Sequence, residues 1–351
     1  MIPLYRPYMP ELPGLNEILN SGRLASGRHT SEFEELLKEY FQVKYLLVTN
    51  SFHMAISVFL VAAGLAHGDE VIVSPMACLA STQAYASFGL KIVWADVDPY
   101  TGTLDPGEVR KRITSKTKLI VHNHFCGFPG YVDEINALGR EFGLMVIDDG
   151  IECFGSEYKG YKIGNCGTDA TVFSFNPVRI PNTIDGGAVI FQNEEVYKKA
   201  LLIRDCGIDR GRFRDNIGEI DPGCDIELMG YSATMSDVHG YIGCQQMKHV
   251  DEILEKQRVN AAKWNPIIQN RPGCKTITVP GHSPNYWVYG LLAKEKREEI
   301  LRFRQEGYAA SGVHLNNNIY SVFGASAPLP GVEEFYHHFV ALPSGWWCNI
   351  P

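Results

Sequence analysis

The chain predicts an α/β fold, a mostly parallel sheet flanked by helices, with a smaller α+β domain at the C-terminus. Three observations lead there. The strands of the first half, among them "EVIVS", "TKLIVHNH" and "LMVIDDG", are near-continuous apolar runs rather than alternating ones, the pattern of strands buried on both faces. They alternate with helical segments, as crossover-connected parallel strands require. The pattern then changes: a long helical stretch gives way to one strand and one more helix. The boundary is placed so that residues 1–249 form the large domain and 250–351 the small one.

The elements follow in order. "SEFEELLKEYF" (31–41) is amphipathic and helical, with Ser31 as its N-cap and Glu34 three residues on. "YLLVTNS" (45–51) is a buried strand with a polar end, followed by the apolar helix 53–65. A turn at 67–69 leads into strand "EVIVS". Helix 78–89 ends at Gly89 and is followed by strand 91–98. Asp105 caps the next helix, 105–113, and Pro106 takes its first position, where the missing N–H costs nothing. Strand 117–124, helix 131–143 and strands 144–150, 170–175 and 187–192 complete the sheet. Helix 193–210 runs into a polar loop, and 235–268 reads as one long helical region. Strand 286–293 and helix 296–307 belong to the small domain.

Composition excludes several classes of function. The 351 residues are 45% hydrophobic and 21% charged, enough for a sizeable core. A net charge of -8 without any basic block argues against nucleic acid. The opening "MIPLYRPYMPEL" does not read as a secretory signal. No apolar run approaches the roughly 18 residues of a membrane span. A cytoplasmic protein with no membrane or nucleic-acid partner is expected. Nine cysteines, none in a C-x-x-C pair, read as reduced thiols. His122 and His124 share one face of a strand, yet no third ligand is evident, so no metal site is expected.

Ligands of such sheets sit beyond the carboxyl ends of the strands. That edge should hold "NS" (50–51), "DDG" (148–150) and "SFNPVR" (174–179). Asp149 could there pair with a cationic ring nitrogen, a metal or an arginine. Ser174 could contact a phosphate. Gly186 and Gly187 allow close backbone approach. The centre of "FSFNPVRIPNTIDGG" is Arg179, which stays charged at ordinary pH and is a poor nucleophile.

The order of these segments resembles the DegT/StrS-type family of sugar aminotransferases, which use pyridoxal phosphate on the fold-type-I scaffold. The resemblance spans nearly the whole chain. It is carried by "SGRLASGRHTSEFEELLKEYF", "HGDEVIV", "VWADVDPYTGTLDP", "ITSKTKLIV", "GLMVIDDGIECFGSEYKGYKIGNCGTDATVFSF", "LLIRDCG" and "MGYSATMSDVHGYIGCQQM". It implies that Asp149 faces the pyridinium nitrogen, Glu152 the ring hydroxyl and Ser174 the phosphate. His124, Thr183, Arg204 and Gly207 also match family positions.

Other positions depart from the family pattern. Arg179 stands where a lysine forms the Schiff base. Asn50-Ser51-Phe52-His53 replaces Asn-Ser-Gly-Thr at the phosphate cradle. Cys78 stands for the aromatic residue that stacks on the ring, and Ser232 for the asparagine that reaches a neighbouring subunit's phosphate. Thr234 replaces an arginine, and Ile184-Asp185-Gly186-Gly187 replaces Gly-Glu-Gly-Gly.

The resemblance thus implies nucleotide-sugar metabolism without normal Schiff-base transamination. If the chain is catalytic, His53, Glu152 or Asp185 must move the proton that the lysine would move. Pyridoxal phosphate or pyridoxamine phosphate would be held non-covalently, near Asp149, Ser174, Ser51, Phe52, His53, Cys78, Glu152 and Ser232. The alternatives are a catalytically inactive homologue that binds a nucleotide-linked sugar or a partner subunit, and a cofactor-free enzyme in the same cleft. A homodimer through the large domain is implied, or a mixed dimer with an active homologue. The chain ends in "FVALPSGWWCNIP" without the family's last helix. Trp346 and Trp347 are expected to cover the small domain or to form a contact patch.

Overall fold

The computed structural model describes residues 1–351. Its first half runs α1 (Leu15–Asn20), α2 (Arg28–Phe41), β1 (Tyr45–Thr49), α3 (Phe52–Ala62), β2 (Glu70–Val73), α4 (Leu79–Ser87), β3 (Lys91–Trp94), α5 (Pro106–Arg112) and β4 (Thr117–Asn123). It continues through α6 (Val132–Phe142), β5 (Met145–Asp149), β6 (Glu157–Tyr158), β7 (Tyr161–Lys162), β8 (Ala170–Ser174) and β9 (Gly187–Phe191). The second half runs α7 (Glu194–Arg204), α8 (Asp237–Met247), α9 (Val250–Gln269), β10 (Cys274–Thr276), β11 (His282–Ser283), β12 (Tyr289–Ala293), α10 (Lys296–Gln305), α11 (Pro330–His338) and β13 (Phe339–Leu342).

Seven strands form the central sheet in the order β1-β9-β8-β5-β4-β2-β3. The pairs among β8, β5, β4, β2 and β3 are parallel. β9 runs antiparallel to both β8 and β1. β1 therefore points the same way as the parallel strands, and the carboxyl ends of β1, β4, β5 and β8 share one edge. The register confirms it: Thr49 and Ser174 both pair with Gly187, and Asn123 pairs with Asp149. The fold class read from the sequence holds, as do the Asp105 cap and Pro106 start of α5.

The strand period of two divides the core. Leu47, Val121, Ile147 and Val172 pack on one face with Phe52 and Phe59 of α3. Leu46, Val48, Phe173 and Ile190 pack on the other with Phe33 and Phe41 of α2. A three-stranded antiparallel sheet, β10-β12-β13, has its own cluster around Trp264, Tyr289, Phe303 and Val340.

Three local expectations need correction. α2 begins at Arg28, and Ser31 is not its cap. The first-turn N–H groups of His29 and Thr30 instead donate to Asp237 Oδ1, at 2.8 and 3.0 Å, from α8. A carboxylate brought by tertiary folding thus satisfies donors that the local sequence leaves open. Glu34 does not complete a capping box; it accepts from the Val48 N–H and pairs with Arg204. The region 235–268 is two helices, broken at Lys248 and His249. Trp346 and Trp347 are half-buried at the end of the chain. They hold the N-terminal segment: Trp347 Nε1 donates to the Pro3 carbonyl, and Arg6 lies 5.3 Å over the Trp346 ring.

Candidate active site

Alternation along β5 gives the two neighbouring aspartates different surroundings. Asp149 shares a face with Ile147 and points to the α3 side; Asp148 points to the opposite side.

On the Asp148 side lies a buried cluster. His122 Nδ1 and His124 Nε2 each lie 3.2 Å from Asp148 Oδ1. The third group that the sequence did not reveal is therefore Asp148, supplied by the β4–β5 register. The Gly130 N–H donates to His124 Nδ1 at 3.1 Å. That bond places the His124 ring hydrogen on Nε2, facing Asp148, where it leaves no lone pair for a metal. The cluster is a buried clamp held by the His122 Nδ1–Asp148 Oδ1 hydrogen bond, while His122 Nε2, His124 Nε2 and Asp148 Oδ2 are buried without a hydrogen-bond partner. Burial works to raise the Asp148 carboxyl, but His124 and His122 outweigh it and hold it well below the usual range.

On the α3 side, Asp149 is fully buried and forms no ion pair. It accepts from the Ile151 N–H at 3.1 Å and from Asn123 Nδ2 at 3.4 Å. Burial pushes its carboxyl up. Nearby, Glu152 is buried and meets three groups, two by hydrogen bond and one as an ion pair. The Cys126 N–H donates to Oε2 at 2.8 Å, and His314 Nε2 lies 2.7 Å from Oε1. Arg179 Nη2 lies 3.5 Å from the same Oε1. Burial alone would raise Glu152, but His314 and Arg179 lower it below the ordinary carboxylate range.

Arg179 is 7% exposed and lies 4.5 Å over the Trp287 ring. Trp287 is fixed by its own N–H, which donates to the Val178 carbonyl at 2.9 Å, and by Tyr5, stacked at 6.0 Å. Two Arg179 nitrogens, Nε and Nη1, are buried without a partner. Such donors are rare in folded chains and point to a ligand or a bound water.

The structure brings Arg179, Glu152, Asp149 and Cys78 together. Cys78 precedes α4, and its thiol is pushed up by burial and by Glu152, with Arg179 opposing. Ser174 is buried on the same edge, its Oγ accepting from the Asn176 N–H at 3.4 Å. Ser51 caps α3, its Oγ accepting from Met54. Phe52 follows Ser51 and is 2% exposed, packed in the core on the α3 face of the sheet. A Cβ on Gly187 would lie 2.9 Å from Phe52 Cα, so the glycine is what lets β9 pass the start of α3.

Three other expected residues form no hydrogen bond or ion pair with Arg179 or Glu152, and of these Ser232 is the one the resemblance directs to a neighbouring subunit. Asp185 is exposed, accepts from the Gly186 N–H, and has His239 as its electrostatic neighbour. The reason is the loop: Thr183 Oγ1 donates to the Asp185 carbonyl at 2.5 Å, turning the chain before β9. His53 lies in the first turn of α3, with its ring against Phe52. Ser232 pairs with Asp205, and its carbonyl accepts from Asn50 Nδ2. The sequence reading missed Trp287 and His314. Both lie over a hundred residues from Glu152 in loops without a motif.

A pyridoxal-type cofactor fits this face at one end only. Asp149, lacking a cation, suits a pyridinium nitrogen. The aldehyde end would face Arg179 if the resemblance holds there, and a guanidinium paired with Glu152 would supply charge rather than a nucleophile. No step through such a group follows from these residues.

The comparisons agree with this architecture. An uncharacterized protein of Methanocaldococcus jannaschii is 32% identical, covering 97% of this chain and 92% of its own. The UDP-4-amino-4,6-dideoxy-N-acetyl-beta-L-altrosamine transaminase of Campylobacter jejuni is also 32% identical, covering 97% and 91%. The crystal structure of the sugar aminotransferase CalS13 from Micromonospora echinospora superposes with a TM-score of 0.92 at 27% identity, covering 99% of this chain and 96% of that one. The model of the DegT/DnrJ/EryC1/StrS aminotransferase family matches residues 10–346, and the chain belongs to that family.

Proposed function

We propose that this chain acts on a nucleotide-linked keto sugar in amino- or deoxy-sugar biosynthesis, and does so without an internal Schiff base. The observation that carries this reading is Arg179. It stands where the family resemblance places the lysine, and it is held by Glu152 and Trp287 as a fixed cation. Relatives that act on nucleotide sugars support the substrate class. In this reading Arg179 binds and polarises, Asp149 and Ser174 line the cleft, and any pyridoxal-type ligand is held non-covalently. A homodimer in the cytoplasm is part of the same proposal.

The test is an absorption spectrum after desalting, with pyridoxal phosphate or pyridoxamine phosphate added to the wild type and to Arg179→Lys. The wild type is expected to show no internal aldimine band. An aldimine band in the wild type would overturn the reading. A band gained by Arg179→Lys would show that the arginine alone blocks the covalent link.

A further inference from the structure

We propose that His314 is the proton-transferring group of this cleft, with Glu152 as its positioning residue and Arg179 as the cation that stabilises the charge formed. The inference rests on the keto-sugar reading above and names the residues that would carry the reaction.

The His314 ring is fixed in orientation. Its Nε2 lies 2.7 Å from Glu152 Oε1, and an ionised carboxylate there selects the Nε2–H tautomer. The lone pair of the neutral ring is then on Nδ1, which has no protein hydrogen-bond partner. The ring lies parallel to Trp287, at 8° and 6.3 Å, and meets Phe125 edge-on. Its side chain is 21% exposed, whereas that of Glu152 is fully buried. The histidine can exchange protons with a ligand or solvent; the glutamate can only orient it. This is the arrangement of a base steered by a carboxylate.

Arg179 meets the same Glu152 oxygen from another side and retains two unpartnered N–H donors. A guanidinium is a poor base but a strong donor to developing negative charge. Of the earlier candidates for proton transfer, Asp185 is exposed, His53 forms no hydrogen bond or ion pair with this group, and Glu152 is committed to three partners.

The step balances without a redox partner. His314 Nδ1 removes the proton from the carbon beside the sugar ketone. The C–H electron pair forms the enolate double bond, and the carbonyl π pair moves to oxygen, where Arg179 N–H groups stabilise it. The imidazolium then returns a proton to carbon. The outcome is hydrogen exchange at that carbon with its configuration kept, because one base works on one face, and no lysine is needed.

The experiment has two arms. In the first, nitrogen NMR of histidine-labelled protein reads the His314 tautomer, assigned by the signal lost in His314→Gln. The Nε2–H form is expected; the Nδ1–H form overturns the proposal. In the second, the protein is incubated in D2O with a UDP-linked 4-keto-6-deoxy-N-acetylhexosamine, with binding followed by calorimetry. The wild type should bind the sugar and exchange deuterium beside the ketone above the buffer rate. His314→Gln, whose amide can still donate to Glu152, should lose at least about 100-fold of that exchange while still binding. Imidazole should restore exchange to His314→Ala, a rescue that a purely structural role would not give. Undiminished exchange in His314→Gln, or a wild type that binds without exchange, overturns the inference. Failure of the wild type to bind the sugar overturns the substrate reading and, with it, this proposal.

Discussion

Replacing Glu152 with glutamine tests whether the cleft is organised around one buried charge. The carboxylate is fully buried and is shared by Arg179, His314 and the Cys126 N–H. Removing one partner of a buried pair leaves the other charge uncompensated, at about 3–5 kcal/mol. Glutamine keeps the volume and one acceptor, so about 3 kcal/mol is expected. An unfolding entropy that scales with chain length makes this about 4 °C in the thermal midpoint. Calorimetry at pH 7 on the wild type, Glu152→Gln, Arg179→Met and the double variant gives the cycle. The double variant should be less destabilised than the two single losses together, by about 1–3 kcal/mol. The sign with pH follows from the lowered carboxyl. A depressed acid stabilises the fold above its unfolded pKa, about 4.3, and loses that contribution as pH falls through its folded value. The gap between wild type and variant should therefore be full at pH 7 and narrow on acidification. A midpoint shift under about 1 °C, or additive single losses, would refute the shared-charge argument.

Other predictions address the rest of the fold. Asp237→Ala should cost about 1–3 kcal/mol in urea unfolding, because it strips the first-turn donors of α2; Asp237→Asn should recover part of it. Gly130→Ala should destabilise by about 1–3 kcal/mol, since a Cβ there would lie 2.2 Å from His122 Nε2; an unchanged midpoint would mean the clamp is loose. Burial lowers the Lys296 ammonium to about 8. The folded state thus disfavours the cation, and wild-type stability should rise relative to Lys296→Met between pH 8 and the unfolded pKa of about 10.4. A flat difference over that range in pH-dependent denaturation would count against a desolvated amine at this half-buried position.

Much of this was legible in the chain. Apolar runs separated by helical segments determined the layers, because a strand covered on both faces must be apolar throughout. The Asp105–Pro106 start of α5 was equally clear, since capping chemistry acts within a few residues. The order of "NS", "DDG" and "SFNPVR" placed the ligand edge, and Arg179 stood out as the residue at the position where the resemblance expects a lysine. The true start of α2 was hidden, because its cap, Asp237, lies more than two hundred residues away.

What the sequence by itself determined was the fold class and the residue types at the strand ends, which follow from short-range periodicity and local order, while the family rested on the resemblance of whole segments and on the family match over residues 10–346. Tertiary structure alone decided which of these residues meet. It separated Asp148 from Asp149 by the strand period and joined the former to two histidines by register. It turned Asp185 away and brought His314 and Trp287 to Glu152 and Arg179. Those contacts depend on how distant loops pack, and a hydrogen bond between residues 152 and 314 leaves no mark on the spacing of either.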